Sequence, residues 1–182
     1  RNPVTGEIDF LSSQPVNAAS ERATGVDLGL LYEFKLGQWQ ASLDWNASYM
    51  DRYDLIPYQG GTTIEYAGKT TGGRGSYANW RSLAELAVAQ GPWSGAYSVQ
   101  YIGKVDDINA SPGDIGDHAP SVAYHNAMAR FAFDDSLSVA LGIDNLFDKQ
   151  APFVQSYTDA NTDTMTYDLL GRRMYLRVNY RW

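Results

Sequence analysis

Histidine and serine are among the residue types that proteins most often use in metal-binding and catalytic sites. The chain has only two histidines, His118 and His125, and no cysteine. A transition-metal site takes three or four ligands of these types, so none is expected here. No serine lies in a G-x-S-x-G pattern, the local context that exposes a nucleophilic serine. The sequence therefore predicts a protein that is not an enzyme and has no transition-metal site.

One acidic stretch has the D-x-N-x-D spacing of an EF-hand calcium loop, in Asp159, Asn161 and Asp163. The motif then fails, because Thr164 replaces its glycine and Leu170 stands where its bidentate glutamate is required. Loose calcium binding by loop oxygens, here or at Asp114 and Asp117, is left open. We expect no other cofactor.

Glycines and arginines suggest two further kinds of anion site. The segment from Gly72 to Gly75 lacks both the G-x-x-x-x-G-K pattern and the strand-then-helix setting of a phosphate loop, and is interpreted as a loop tip. Arg173, Arg177 and Arg181 share one parity of a strand and would suit anionic groups. We favour the structural alternative, in which these arginines pair with carboxylates on neighbouring strands, such as Asp144 or Asp27.

Composition excludes one class of partner and favours strands. The 182 residues carry 21 acidic and 14 basic side chains, a net charge of −7, which would repel a phosphate backbone. Nucleic acid is therefore not an expected partner. Glycine and tyrosine are frequent, with 17 and 13 residues, and many aromatics alternate with small or polar residues, as they do in strands.

Two-residue periodicity predicts seven strands and a weaker eighth. The weak one lies around Glu7 to Val16, and the other seven lie near residues 26–34, 39–49, 77–90, 93–101, 121–133, 137–143 and 174–182. Most of these strands have one apolar and one polar parity, for example Leu137, Val139 and Leu141 against their polar or small neighbours. Such alternation fixes the register of each strand and separates an apolar face from a polar one.

The connections alternate between short and long. Tight turns are expected near 35–38, 91–92 and 134–135, whereas the segments near 54–76, 106–120 and 148–169 are about 15 to 24 residues long. An up-and-down barrel of the outer membrane has short periplasmic turns and longer extracellular loops. Trp39, Trp93, Tyr180 and Trp182 would then join an aromatic girdle at the periplasmic side.

Hydropathy does not contradict this interpretation. No run of eighteen apolar residues exists, so a transmembrane helix is excluded, and the mean hydropathy is −0.37. A barrel strand turns only every second side chain toward lipid, so its average hydropathy stays low. A soluble β-sandwich also alternates, but predicted strands of about ten to fourteen residues exceed the usual five or six.

Three segments resemble TonB-dependent receptors. Ser136–Lys149, SLSVALGIDNLFDK, is similar to the next-to-last strand of that family, and Tyr167–Trp182, YDLLGRRMYLRVNYRW, is similar to its last. Arg1–Gly29 resembles an earlier pair of strands, with R-N-P-x-T-G-x-I and T-G-V-D-L. The resemblance implies an all-β fold in which residues 1–182 are about the last eight antiparallel strands of a 22-stranded transmembrane β-barrel. The plug domain, the TonB box and the earlier strands are not in this sequence.

The resemblance also implies function and partners. The whole receptor would import a scarce nutrient by energy-coupled transport, most commonly a ferric siderophore, with oligosaccharide or cobalamin as alternatives. Its partners would be outer-membrane lipid, the TonB–ExbB–ExbD system through the missing N-terminal part, and the small-molecule nutrient. The barrel assembly machinery would recognise Val178, Tyr180 and Trp182. Its location would be the outer membrane of a Gram-negative bacterium.

Aromatic residues of the long loops are the candidates for holding an iron chelate or a sugar: Tyr58, Tyr66, Tyr77, Trp80 and Tyr157. Two other functions are left open by the sequence. The first is a stand-alone eight-stranded barrel that acts as a membrane anchor or adhesin, since eight strands can close a barrel filled by side chains. The second is a soluble β-sandwich that serves as a binding module.

Overall fold

The computed structural model describes Thr5, Gly6, Ile8 and residues 20–182, and its main feature is an antiparallel meander. Its long strands are β1 (Ser20–Leu36), β2 (Trp39–Ile56), β6 (Trp80–Gln90), β7 (Trp93–Ile102), β10 (Val122–Ala132), β11 (Leu137–Asp144) and β12 (Arg173–Tyr180). They lie in the order β1-β2-β6-β7-β10-β11-β12, each antiparallel to its neighbours. The predicted all-β, up-and-down architecture is confirmed, and so are the seven predicted strands.

The ends of the sheet are open. Each of the strands β1 and β12 pairs with a single long strand, so residues 20–182 do not close a barrel by themselves. The weaker strand predicted around Glu7 to Val16 falls, except for Ile8, outside the described residues. Within the described part of the chain, no helix is long and apolar enough to cross a membrane.

Short and long connections lie at opposite ends of the sheet, as predicted. The short turns are Gly37–Gln38, Gly91–Pro92 and residues 133–136. Gly37 and Gly91 have φ values of +62° and +54°, a conformation that glycine adopts without a steric penalty. The long connections are residues 57–79, 103–121 and 145–172, all at the other end.

The strand register places the alternating residues on two faces. Leu30 pairs with Trp45, Trp45 with Ala84, and Ala84 with Val99, so one row of apolar residues crosses several strands. The "apolar face" consists of every second residue of each long strand, beginning with the first residue of these ranges: 26–36 in β1, 39–49 in β2, 80–90 in β6, 93–101 in β7, 123–131 in β10, 137–143 in β11 and 174–180 in β12. The intervening residues form the "polar face".

The apolar face is not covered by another layer of the described chain. Leu141 and Leu176, a cross-strand pair of β11 and β12, are 57% and 67% exposed. A β-sandwich would bury such residues against a second sheet. The structure therefore gives no support to the sandwich alternative.

The buried core lies at the long-loop end. Short strands there are β3 (Ile64–Glu65), which pairs with β2, and β4 (Lys69–Thr71), β5 (Gly75–Tyr77), β8 (Val105–Asp107) and β9 (His118–Ala119). The last four form a second sheet in the order β5-β4-β8-β9. Fully buried Val105 and Val154 join residues from all three long connections in one cluster. We call this packed unit, residues 57–79, 103–121 and 145–172, the "cap".

Candidate functional site

A tyrosine cluster connects the cap to the polar face of β2. Tyr53, Tyr66 and Tyr77 lie with ring centroids 4.8 to 5.6 Å apart in all three pairs. The Arg74 guanidinium lies 5.6 Å from the centre of the Tyr66 ring, and the Tyr53 hydroxyl donates to Glu21. Tyr66 is only 5% exposed, so the partly exposed rings of Tyr53 and Tyr77, with a cation and a carboxylate beside them, are the surface that a planar or polar ligand can contact.

The structure brings only part of the predicted aromatic set together. Tyr66 and Tyr77 meet in the cluster, whereas Tyr58 is 59% exposed at the start of the cap. Trp80 lies on the apolar face, where its ring contacts Tyr49 at 4.8 Å between centroids. Tyr157 is buried, and its hydroxyl is bonded to Thr70 Oγ1 at 2.7 Å.

Tyr53 is a member of the cluster that the sequence analysis missed. The predicted second strand ended at Tyr49, but β2 continues to Ile56 and carries Tyr53 and the buried Leu55 on its polar-face side. Tyr53 and Leu55 have the same odd parity as Tyr49, so alternation alone would have placed them on the apolar face. Thr24 pairs with Arg52 and Gly25 with Met50, so Asp51 is an extra residue in β2, and this bulge turns Tyr53 and Leu55 to the polar face.

A polar pocket of about 320 Å³ lies on the polar face directly below the cap. Its walls include Gln100, Tyr124, Asn126, Asp144, Asp168 and Arg173. Arg173 contacts Asp168 at 3.0 Å and Asp144 at 3.8 Å. The predicted pairing of these arginines with carboxylates of neighbouring strands is thus confirmed for Arg173 with Asp144, whereas among the described residues Arg177 and Arg181 have no carboxylate within 4 Å.

Asp168 is held as a carboxylate in this pocket. Burial raises the pKa of Asp168, but hydrogen bonds from Leu170 N and from Arg173 outweigh that effect and lower it below the usual value of 3.8. The Asn145 side chain donates to the same carboxylate at 3.3 Å. A charged, hydrogen-bonded wall of this kind can contact water or a polar ligand.

Charges are distributed unevenly over the polar face. Carboxylates predominate on β1, β2 and β6, at Asp27, Glu33, Asp44 and Glu85, and arginines on β10 and β12, at Arg130, Arg173 and Arg177. Arg177 lies over the Tyr175 ring at 5.9 Å, and Ala140 lies between Arg130 and Arg177 in the register. Among residues 20–182 neither Arg130 nor Arg177 has an ion pair within 4 Å. Arg181 lies beyond β12, where its backbone donates to Ser136.

The proposed assembly signal lies on the apolar side of the last strand. Val178 and Tyr180 pair across the apolar face with Val139 and Leu137, and both are exposed. Trp182 follows β12 and is fully exposed. All three are therefore accessible on an open sheet edge at the short-turn end.

In the described part of the chain, the histidines and the acidic loop residues do not come together as a set of metal ligands. His118 bonds to Asp117, whose second oxygen accepts from Gly113 N, and His125 bonds to the Tyr97 hydroxyl at 2.6 Å. Among the described residues no group of three or more acidic or histidine side chains is arranged to hold a metal ion. Of the D-x-N-x-D residues, Asp159 and Asn161 are exposed and Asp163 is buried.

Comparisons with known proteins agree with this geometry. A family model described as "TonB dependent receptor-like, beta-barrel" matches residues 1–146. A crystal structure of a mutant ferric enterobactin receptor from Pseudomonas aeruginosa matches with a TM-score of 0.58 and 18% identity. The match covers 87% of this chain but only 22% of that structure. None of the curated protein sequences matches the chain.

Proposed function

This chain belongs to the family of TonB-dependent receptor-like β-barrels, and from that premise we propose that it forms wall and extracellular cap of an outer-membrane importer of ferric siderophores. The family consists of receptors and transporters of the Gram-negative outer membrane, not of enzymes. The observation that carries the proposal is the combination of an uncovered apolar face with a packed cap at one end of the same sheet.

The dimensions of the apolar face suit a bilayer. Aromatic residues border it at both levels, with Trp93 against Phe131 at the short-turn end and Tyr49 against Trp80 at the long-loop end. Trp39 and Tyr49 are the first and last apolar-face residues of this band in β2. Ten residues at ~3.3 Å each, tilted by about 40°, rise ~25 Å, which matches the apolar band of an outer-membrane barrel. The short turns would then face the periplasm.

The cap supplies the features that a cargo site needs. The tyrosine cluster of Tyr53, Tyr66 and Tyr77 lies on the side of the polar face, and the pocket around Arg173 lies below the cap. Cargo captured above would pass along the charged polar face. A ferric siderophore is favoured because a solved structure of similar fold is that of a ferric enterobactin receptor. Oligosaccharide and cobalamin are the alternative cargoes.

Coupling to energy requires parts of the parent protein other than this wall. The TonB–ExbB–ExbD system would act through an N-terminal plug and its TonB box, and further strands would pair with the open edges of β1 and β12. The barrel assembly machinery would bind the terminal strand through Val178, Tyr180 and Trp182. A stand-alone eight-stranded barrel would instead join β12 to a strand next to β1.

The proposal is tested by transport in a strain that lacks the parent gene. We expect that the wild-type gene restores uptake of a radiolabelled ferric siderophore, and that collapse of the proton gradient stops uptake but not surface binding. Uptake of a labelled oligosaccharide or of cobalamin alone would overturn the cargo assignment. Uptake that survives loss of the gradient would overturn the energy coupling.

A further inference from the structure

Four buried side-chain atoms in the cap have no hydrogen-bond partner in the described part of the chain: Ser156 Oγ, Thr162 Oγ1, Asp163 Oδ2 and the Tyr167 hydroxyl. Asp163 is fully buried, and although its Oδ1 accepts from Met165 N at 3.0 Å, its Oδ2 has none. The Tyr167 hydroxyl, in a side chain that is 4% exposed, is also unpartnered. Buried polar atoms of folded proteins are nearly always paired, so a small bound species beside Asp163 and Tyr167 is indicated.

The surroundings of Asp163 are rich in oxygen and come from two parts of the cap. Thr70 Oγ1 lies 2.8 Å from Ser76 Oγ and 2.7 Å from the Tyr157 hydroxyl. A Cβ added to Gly75 would lie 3.6 Å from Asp163 Oδ2, so the carboxylate faces the hairpin formed by β4 and β5. The group thus lies between this hairpin and the loop that joins β11 to β12.

The tyrosines beside Asp163 keep their protons. Burial raises the pKa of Tyr167 to about 12, and the charge of Asp163 adds to the effect. Burial also raises the pKa of Tyr157, again with a contribution from Asp163. Both phenols therefore offer neutral oxygen atoms near a single negative charge.

That charge is not balanced by a protein cation. Among residues 20–182 no lysine, arginine or histidine nitrogen lies within 4 Å of Asp163, and Arg81 donates instead to the Ser76 carbonyl at 2.6 Å. Burying an isolated carboxylate is costly. A water molecule could donate a hydrogen bond to the carboxylate but would leave its charge, whereas a cation would coordinate the free carboxylate oxygen and balance that charge.

We propose that Asp163 Oδ2, together with hydroxyl oxygens of Tyr167, Tyr157, Thr70 and Ser76, binds a monovalent alkali cation that fastens the β4–β5 hairpin to the last long loop. Only one carboxylate is present, so a monovalent ion leaves the buried site neutral and a divalent ion would leave it positive. Oxygen ligands of this kind are those preferred by hard cations. The proposal does not depend on which cargo is transported.

Hydrogen exchange of the intact parent protein in detergent tests the site. Backbone amides of residues 154–167 are followed in sodium, potassium or choline chloride at equal ionic strength. We expect sodium or potassium to slow their exchange about tenfold relative to choline, the factor that linkage gives at ten times the Kd of the ion. Asp163→Asn should abolish the effect, and Asp159→Asn, an exposed carboxylate in the same loop, should keep it.

Three results would overturn the proposal. Equal exchange in all three salts would mean that water or a protonated carboxyl fills the site, and protection found only in a parallel measurement in calcium chloride would mean a divalent ion. If Asp163→Asn fails to fold, Tyr167→Phe keeps the carboxylate and removes one ligand oxygen. This variant should need a higher sodium concentration for the same protection, and an unchanged sodium dependence would reject the site.

Discussion

Asp148 accepts a hydrogen bond at 2.9 Å from the backbone N–H of Arg172, a residue 24 positions later in the chain. The contact joins the N-L-F-D-K segment after β11 to the Y-D-x-x-G-R segment before β12. Asn145 strengthens the same junction, because its side chain bonds to both backbone groups of Lys149 and to Asp168. The two motifs are therefore the two halves of one structure, where the chain leaves the last hairpin and returns to it.

This junction requires glycine at position 171, because it has no room for a side chain there. Its φ is +70°, and an added Cβ would lie 2.7 Å from Asp148 Oδ1. Gly171→Ala should therefore cost about 1 to 3 kcal/mol of unfolding free energy through backbone strain and steric displacement of Asp148. Urea titration of the bilayer-embedded parent protein measures the change.

Gly113→Ala is the matched control, because Gly113 also has a positive φ, +97°, but no atom lies within 4 Å of its added Cβ. The control retains the strain and lacks the close contact. If both variants lose the same stability, the contact with Asp148 contributes nothing to the requirement for glycine.

The assignment of faces is tested by arginine at two adjacent positions of β6. Leu86 lies on the apolar face between Leu43 and Tyr97, and Ala87 lies on the polar face between Ser42 and Ala96. Leu86→Arg should cost about 2 to 4 kcal/mol if it lies near the bilayer midplane, and Ala87→Arg clearly less. Equal losses in a folding titration into lipid vesicles would reject the orientation of the sheet.

The choice of Ala87 depends on the structure. From sequence alone, Ala140 next to Leu141 would be an equally good polar-face control. The register instead places Ala140 between Arg130 and Arg177, so a third arginine there would be repelled by two others. Its cost would reflect that repulsion as well as its exposure to the lumen.

Acidification should loosen the junction around Asp168. Its pKa is lowered in the folded protein, so the carboxylate adds stability above its usual pKa of 3.8, and this stability is lost as the pH falls through the lowered value. Exchange of amides 168–173 should therefore accelerate as the pH is reduced from about 5 to about 3, beyond the intrinsic pH dependence. Asp168→Asn should remove that extra acceleration, and an unchanged profile in this variant would assign it to other groups.

Much of the sheet was predictable because alternation is a local property. Long strands with one apolar parity, such as β12, fixed their own register, and the glycines at positions 37 and 91 marked tight turns. The cap was not predictable, because its sheet joins β4 and β8 in parallel across 36 residues between Lys69 and Asp106. Gly72–Gly75, interpreted as a loop tip, lies at the turn of the β4–β5 hairpin. Its packing against Ser156 was not predictable either, because the two segments are far apart in sequence.

The site could be predicted by residue type but not by position. Tyrosines in long loops indicated a binding surface, yet Tyr157 lies in the core of the cap and Trp80 lies on the apolar face. Both outcomes depend on contacts between residues far apart in sequence. Periodicity identifies the face of a residue within a strand, and beyond the strand ends it gives no such information.

The tyrosine cluster makes the most direct prediction about cargo. Tyr77 contacts both Tyr53 and Tyr66, and its hydroxyl donates to the Arg74 carbonyl at 3.1 Å, so its removal takes two of the three ring contacts from the cluster. Tyr77→Ala in the full-length parent should weaken binding of a ferric siderophore about tenfold, since losing one aromatic contact costs about 0.5 to 1.5 kcal/mol beyond the buried area.

Tyr58→Ala, which removes an exposed tyrosine outside the cluster, serves as the control and should bind nearly as well as wild type. Fluorescence quenching of the purified receptor measures both affinities, and the heat-modifiable migration of the barrel shows whether each variant is assembled. If Tyr58→Ala weakens binding in an assembled barrel and Tyr77→Ala does not, cargo binds at the exposed tip of the cap and the cluster serves only to pack it.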